Sequence, residues 1–286
     1  MKPASIGCRF FVRERIIESM KYAAAGSVVM ILCITASILI IRRIAKHRSI
    51  SLPFRIVSEL LLSLVLIVLC GLGYTAVYYH AREEALDAMK STDTVTVTDM
   101  ERGWKFDGPG TDSAFVFYAG AKVQPEAYAP LMKILAEGGL DGYLLDPPRH
   151  ISMLDQNGIE RAMADGKYES WYIGGHSLGG FAASVWASGH LDNIDGVILL
   201  GSYPAKDLHG VRMLSIYGSE DGCLNRKEYE ASRRYWPDDA EEYIIAGGNH
   251  AGFAHYGVQS GDGQAGITVS QQETETASAV LKFIRK

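Results

Sequence analysis

Along the chain, hydrophobic and polar residues follow two unlike patterns, and they meet near residue 80. Ala23 to Ile41 and Leu60 to Tyr79 are runs of 19 and 20 residues with no charged side chain. At about 1.5 Å per residue, each helix would reach about 30 Å, the thickness of a bilayer's hydrocarbon core. Buried core helices would show a polar stripe, and neither run has one. The pattern predicts two membrane-spanning helices, 23–41 and 60–79, with Tyr74, Tyr78 and Tyr79 at the interfacial end of the second. A cleaved signal peptide fits less well, because a long basic tail precedes Ala23 and Arg42-Arg43 follow the first run like a stop-transfer flank.

From Thr94 onward, short apolar strands alternate with helices. TVTVTD (94–99) alternates β-branched and polar residues and could pair with WKF (104–106) as a hairpin. AFVFY (114–118), GYLLD (142–146), WYIGG (171–175), GVILLGS (196–202), MLSIYG (213–218) and EEYIIAG (241–247) read as further strands. Helices are expected after Pro125, near Met153–Ala164, over 178–190, around Arg226–Tyr235 and over Val269–Ile284. Continuous apolar strands separated by helices specify an α/β fold, a mostly parallel sheet covered on both faces. The expected organisation is a basic N-terminal tail (1–22), a span (23–41), a short basic loop (42–59), a second span (60–79), a linker with the first strands (80–111), and a globular domain (112–286).

Charge sharpens the division. The 286 residues carry a net charge of −5, but residues 1–79 hold ten Lys/Arg against three Glu, while residues 80–286 hold 18 basic and 30 acidic side chains. A +7 segment is thus joined to a −12 domain, and the mean hydropathy of +0.03 averages two unlike parts. An acidic domain repels phosphate backbones, so nucleic acid is not an expected partner. Five Lys/Arg lie between the two runs, and only Arg82 and Lys90 fall in the twenty residues after the second. The positive-inside rule then places the short loop in the cytoplasm and the globular domain outside a cell membrane crossed twice. The equally basic tail gives the first span no preferred direction. Cys8, Cys33 and Cys70 lie in the tail and spans, leaving the globular domain only Cys223 and no internal disulfide.

In a sheet of this kind, sites form at the carboxyl ends of the strands. Gly175-His176-Ser177-Leu178-Gly179 stands where a strand should end and a helix begin, the context in which G-x-S-x-G makes a sharp turn that presents its serine. The glycines remove Cβ atoms that would collide across that turn. A serine hydroxyl needs a base to take its proton. His250, in the loop past the last strand, is the candidate, with His255 in reserve. The base needs an acid to hold its tautomer. Asp221, after MLSIYG, is at the right strand end, with Glu220 and Asp207 as competitors. Two backbone donors would bind a developing oxyanion: Leu178 N–H and an N–H from the loop Ala119-Gly120-Ala121, with Ala121 the expected residue.

The stretches FYAGAKVQPEAYAPL, WYIGGHSLGG, SIYGSEDG and GGNHAGF make residues 112–285 resemble a compact α/β-hydrolase of the bacterial single-domain type, in the esterase/lipase and dienelactone-hydrolase neighbourhood. The resemblance implies an eight-strand sheet, a Ser177–Asp221–His250 triad and hydrolysis through an acyl-enzyme, with no metal and no organic cofactor. Ala119-Gly120 departs from the family's common His-Gly form at the oxyanion loop. The expected activity is that of a membrane-anchored serine hydrolase acting on a carboxylic ester. A thioesterase or acyltransferase, or a non-catalytic binding module of the same fold, are the alternatives. Only about ten residues separate Ser202 from Met213, too few for a helical cap, so an open cleft is expected. The Gly-rich stretch 257–266 either folds over the site or forms an exposed loop.

Overall fold

The computed structural model describes residues 28–46, 50–109 and 112–286. The basic tail 1–22 lies outside the described residues, as do residues 23–27 of the first run and 47–49 of the basic loop. The chain divides into two compact units, Met1–Val77 and Tyr78–Lys286.

In the first unit, α1 spans Val28–Lys46 and α2 spans Leu52–Ala76. Pro53 sits in the first turn of α2, where its missing N–H costs nothing, so this helix starts eight residues before the apolar run that announces it. The helices have 19 and 25 residues and are long and apolar enough to cross a membrane. Their leucines lie bare: Leu32 is 62% exposed and Leu60 66%. Two serines face inward, where Ser37 and Ser63 share a buried hydrogen bond between the two helices.

The second unit is built on an eight-stranded sheet in the order β1-β2-β4-β3-β5-β6-β7-β8. The strands are Thr96–Met100, Gly103–Asp107, Ser113–Tyr118, Asp141–Leu145, Ser170–His176, Gly196–Leu200, Arg212–Gly218 and Glu241–Ile245, numbered β1 to β8. β1 and β2 form the expected antiparallel hairpin, β2 pairs antiparallel with β4, and every later pairing is parallel. Strand β3 shows why its apolar run has no polar gaps. Phe115 and Phe117 pack on one face beneath α4 (Ala129–Glu137) and α8 (Val269–Ile284). Ala114, Val116 and Tyr118 pack on the other, beneath α5 (Gly158–Asp165), α6 (Leu178–Ala187) and α7 (Arg226–Ser232). Both faces are dry, so both residue sets must be apolar.

Local chemistry sets the helix ends. Thr268 and Gln271 form a capping box that starts α8, and the Asn225 side chain accepts the Glu228 N–H to start α7. The helix expected over 153–164 is shorter: residues 152–154 make a single 3-10 turn and α5 begins only at Gly158. The Tyr118 hydroxyl donates to the Asp155 carbonyl, drawing that backbone onto the end of β3 and away from a helical path. Between β6 and β7 there is neither helix nor strand.

Tyr78 and Tyr79, read from sequence as the aromatic end of the second span, belong instead to the globular unit. Tyr79 N–H donates to the Lys122 carbonyl at 2.7 Å, and its own carbonyl accepts the Gln124 N–H at 2.9 Å. Its ring packs 5.4 Å from that of Tyr256, and Arg82 N–H donates to the His255 carbonyl. A short strap, 78–82, is therefore part of the globular unit's own packing; α3 (Glu83–Ala88) follows it. Residues 78–286 expressed alone should fold cooperatively. A chain begun at residue 84 loses the strap's hydrogen bonds and ring contact, and should be less stable by about 2 kcal/mol in urea titration.

Candidate active site

The carboxyl ends of β3, β5, β7 and β8 carry Ala121, the serine turn, Asp221 and His250, while the competitor Asp207 lies between β6 and β7. The turn from β5 into α6 is held by close backbone contacts. A Cβ on Gly175 would lie 2.4 Å from the Tyr118 carbonyl oxygen, and one on Gly179 2.2 Å from the same atom. No side chain fits at either position, which is the physical content of the two glycines in the motif. Between them Ser177 adopts φ 53° and ψ −121°, a conformation that L-residues avoid unless the surroundings enforce it. The enforcement is visible: Ser177 N–H donates to the Leu200 carbonyl at 2.9 Å, and the Ser202 hydroxyl donates to the Ser177 carbonyl at 2.7 Å.

Asp221 and His250 meet. His250 Nδ1 lies 2.9 Å from Asp221 Oδ2, and both side chains are shut off from solvent. The other carboxylate oxygen, Oδ1, accepts the backbone N–H groups of Cys223 and Leu224 at 2.9 and 2.7 Å. Those two bonds fix the carboxylate in its turn and leave Oδ2 to the imidazole. With Nδ1–H donated to Asp221, the free lone pair of His250 is on Nε2. Gly201, at the end of β6, lies under this pair: a Cβ there would be 3.0 Å from His250 Nδ1 and 3.2 Å from Asp221 Oδ2. Among the described residues no hydrogen bond joins Ser177 Oγ to His250, so the formed contact is the Asp221–His250 half.

The competing candidates are occupied elsewhere. His255 pairs with the buried Glu273 at 3.0 Å, which holds its imidazole above the usual range. Asp207 is bound to His209 on the surface, and Glu220 accepts from the neighbouring Ser219 hydroxyl.

At the loop that follows β3, three successive donors have different fates. Gly120 N–H donates to the Tyr128 hydroxyl at 3.1 Å, and Lys122 N–H donates to the His150 carbonyl at 2.8 Å. Among the described residues, no acceptor engages the Ala121 N–H between them. Leu178 N–H opens α6, before that helix's hydrogen-bond ladder begins. His176, at the motif's second position, is turned inward and fully buried. Its Nδ1 lies 2.7 Å from the Tyr128 hydroxyl, and its ring centroid is 4.4 Å from that of His250. Burial, and then the neighbouring His250, hold His176 well below the ordinary imidazole range, so it is neutral. The Tyr128 oxygen thus accepts from Gly120 and also hydrogen-bonds His176 Nδ1, one hydroxyl joining the loop after β3 to the buried histidine. Tyr128 was read from sequence only as part of a helix start, and nothing local to PEAYAP marks this role. Among the described residues, no group of three or more His, Cys, Asp or Glu side chains could hold a metal ion.

Est1E from Butyrivibrio proteoclasticus, solved with bound ferulic acid, superposes with a TM-score of 0.51 at 12% identity, over 68% of this chain and 98% of its own. A predicted CIB-like hydrolase from Thermoplasma acidophilum superposes at 0.50 with 12% identity, over 67% and 98%. A dienelactone hydrolase from Anabaena variabilis gives 0.48 with 14% identity, over 67% and 98%. At these identities the likeness to the first two is one of fold. No curated protein is significantly similar to this chain in sequence. The model of the alpha/beta hydrolase family matches residues 114–274, more than half of the chain, and with the sheet order and strand-end site described above it makes this protein a member of that family.

Proposed function

We propose that this alpha/beta hydrolase is a serine hydrolase that cleaves a carboxylic ester through an acyl-enzyme, and that α1 and α2 anchor it in a membrane. The observation that carries the catalytic reading is the buried Asp221–His250 pair, 2.9 Å apart, past the ends of β7 and β8 on the same carboxyl edge of the sheet as the strained Ser177 turn. In this reading Ser177 Oγ attacks the acyl carbon while His250 Nε2 takes its proton. Asp221 holds the imidazole in the required tautomer and stabilises the imidazolium that forms. The N–H groups of Ala121 and Leu178 receive the negative charge that develops on the carbonyl oxygen. The His250 proton then passes to the departing alcohol. Water, deprotonated by His250, attacks the acyl carbon; its bond to Ser177 Oγ breaks, the carboxylic acid leaves, and His250 returns the proton to the serine. No step draws on a metal or an organic cofactor.

The direct connection between β6 and β7 supports an open cleft suited to small or exposed esters. Membrane anchoring is supported by the length of α1 and α2 and by their bare leucines. The five basic residues between the two apolar runs support a cytoplasmic loop, with the hydrolase unit on the far side of a membrane crossed twice.

Wild-type protein should be labelled by a fluorophosphonate probe, and Ser177→Ala should not be, with an unchanged melting transition; an unreactive wild type would favour a non-catalytic module of this fold. Hydrolysis of p-nitrophenyl acetate by Asp221→Asn should fall by about 10⁴-fold in kcat. A panel of acyl chain lengths, with thioester analogues, distinguishes an esterase from a thioesterase. Tyr128→Phe strips partners from two buried groups, Gly120 N–H and His176 Nδ1, and should cost about 1–3 kcal/mol of stability in urea titration.

A further inference from the structure

The Gly-rich stretch 257–266 neither covers the serine turn as a helix nor hangs free; it packs backbone to backbone on the loops that bear Asp221 and His250. One carboxylate gathers four of the hydrogen bonds there. Asp262 Oδ1 accepts the N–H of Gly222 at 2.9 Å, of His250 at 3.1 Å and of Gly263 at 2.8 Å, while Oδ2 accepts that of Ala251 at 2.8 Å. Gly222 is the residue after the acid, and His250 is the base itself. Three segments that are distant in sequence, 221–222, 250–251 and 262–263, therefore converge on the oxygens of a single side chain.

Their approach leaves no space for side chains. A Cβ on Gly222 would lie 2.5 Å from the Gly263 nitrogen, and one on Gly263 would lie 1.9 Å from the Glu220 carbonyl oxygen. On the opposite side, the His250 loop is tied to α8, where the Gln272 side chain accepts the Asn249 N–H and donates to the Asn249 carbonyl. Asn249 Nδ2 in turn donates to the Gly263 carbonyl. A carboxylate that accepts several N–H groups forms strong charge-assisted bonds and fixes the directions of the peptides that donate them.

We infer that Asp262 is a positioning residue for the hydrolytic reaction: its carboxylate clasps the acid loop to the base loop and so sets where His250 stands relative to Asp221 and Ser177. It touches neither substrate nor the reacting atoms. Any misplacement of the imidazole by about 1 Å is felt in the chemical step, at a cost of up to about 10²-fold, while the cleft that binds substrate is left as it was. The inference rests on the serine-hydrolase reading above.

The test uses the full-length chain in detergent micelles, with p-nitrophenyl acetate as substrate and fluorophosphonate titration to count reactive Ser177. Asp262→Ala should lower kcat per titrated site by roughly 10- to 100-fold with KM within about two-fold of wild type. Asp262→Asn keeps Oδ1 for three of the four N–H groups and should recover most of that loss. An Asp262→Ala protein with wild-type kcat per site, or an Asp262→Asn protein as impaired as the alanine variant, overturns the inference. Should Asp262→Ala fail to fold, Asp262→Glu retains the acceptors but lengthens the reach by one methylene. It is expected to lower kcat at constant KM, and a wild-type kcat overturns the inference. A wild type that fails to react with fluorophosphonate overturns the hydrolase reading and this one with it. A reactive wild type with an insensitive position 262 overturns this inference alone.

Discussion

The carbonyl oxygen of Tyr118, at the end of β3, is approached by two successive turns of backbone, and the rest of the site is arranged around that crowding. Gly175 and Gly179 both come so near this oxygen that a methyl group on either would overlap it. The approach bends the chain between β5 and α6 tightly enough to hold Ser177 at a positive φ. It also presses the first turn of α6 against the loop that follows β3, so that the N–H groups of Leu178 and Ala121 come from adjoining segments. Serine presentation and the two candidate oxyanion donors therefore share a single steric cause.

Polar groups around this centre are held by backbone donors more than by other side chains. Asp221 uses one oxygen on the N–H groups of its own turn and keeps the other for His250. Tyr128 accepts the Gly120 N–H and hydrogen-bonds His176, a buried pair that orients the loop after β3. Burial in turn keeps Tyr128 protonated and His176 neutral. Inside a protein such bonds are strong, and a missing partner is costly. The network therefore favours one arrangement of loops over its neighbours.

How much of this could be read from the chain depended on how local each signal is. The sheet and its covering helices were legible because strand and helix periods recur over short windows, and the capping box at Thr268 marks the start of α8 within four residues. The serine turn was legible for the same reason, its glycines lying two positions on either side of Ser177. Asp221 and His250 were legible only as polar residues past strand ends. Their meeting depends on the pairing of β7 with β8, which no local pattern specifies. Tyr128 and Asp262 were not legible at all, since their partners lie up to 48 and 40 residues away and each looks like an ordinary helix or turn residue. The boundary at residue 78 was missed because an aromatic cluster after an apolar run has the same composition whether it meets lipid headgroups or Tyr256.

The strap of residues 78–82 also bears on how the chain is made. Its partners at 255 and 256 leave the ribosome more than 170 residues after it. Those at 122 and 124 emerge far sooner, so the strap can bond the loop after β3 while β4 to β8 are still unmade. Loop-closure entropy grows only slowly with length, so the later capture by 255 and 256 costs little more than the earlier one. The segment that leads out of the apolar helices is thus fastened to the globular unit in two stages, one near the start of that unit's synthesis and one near its end.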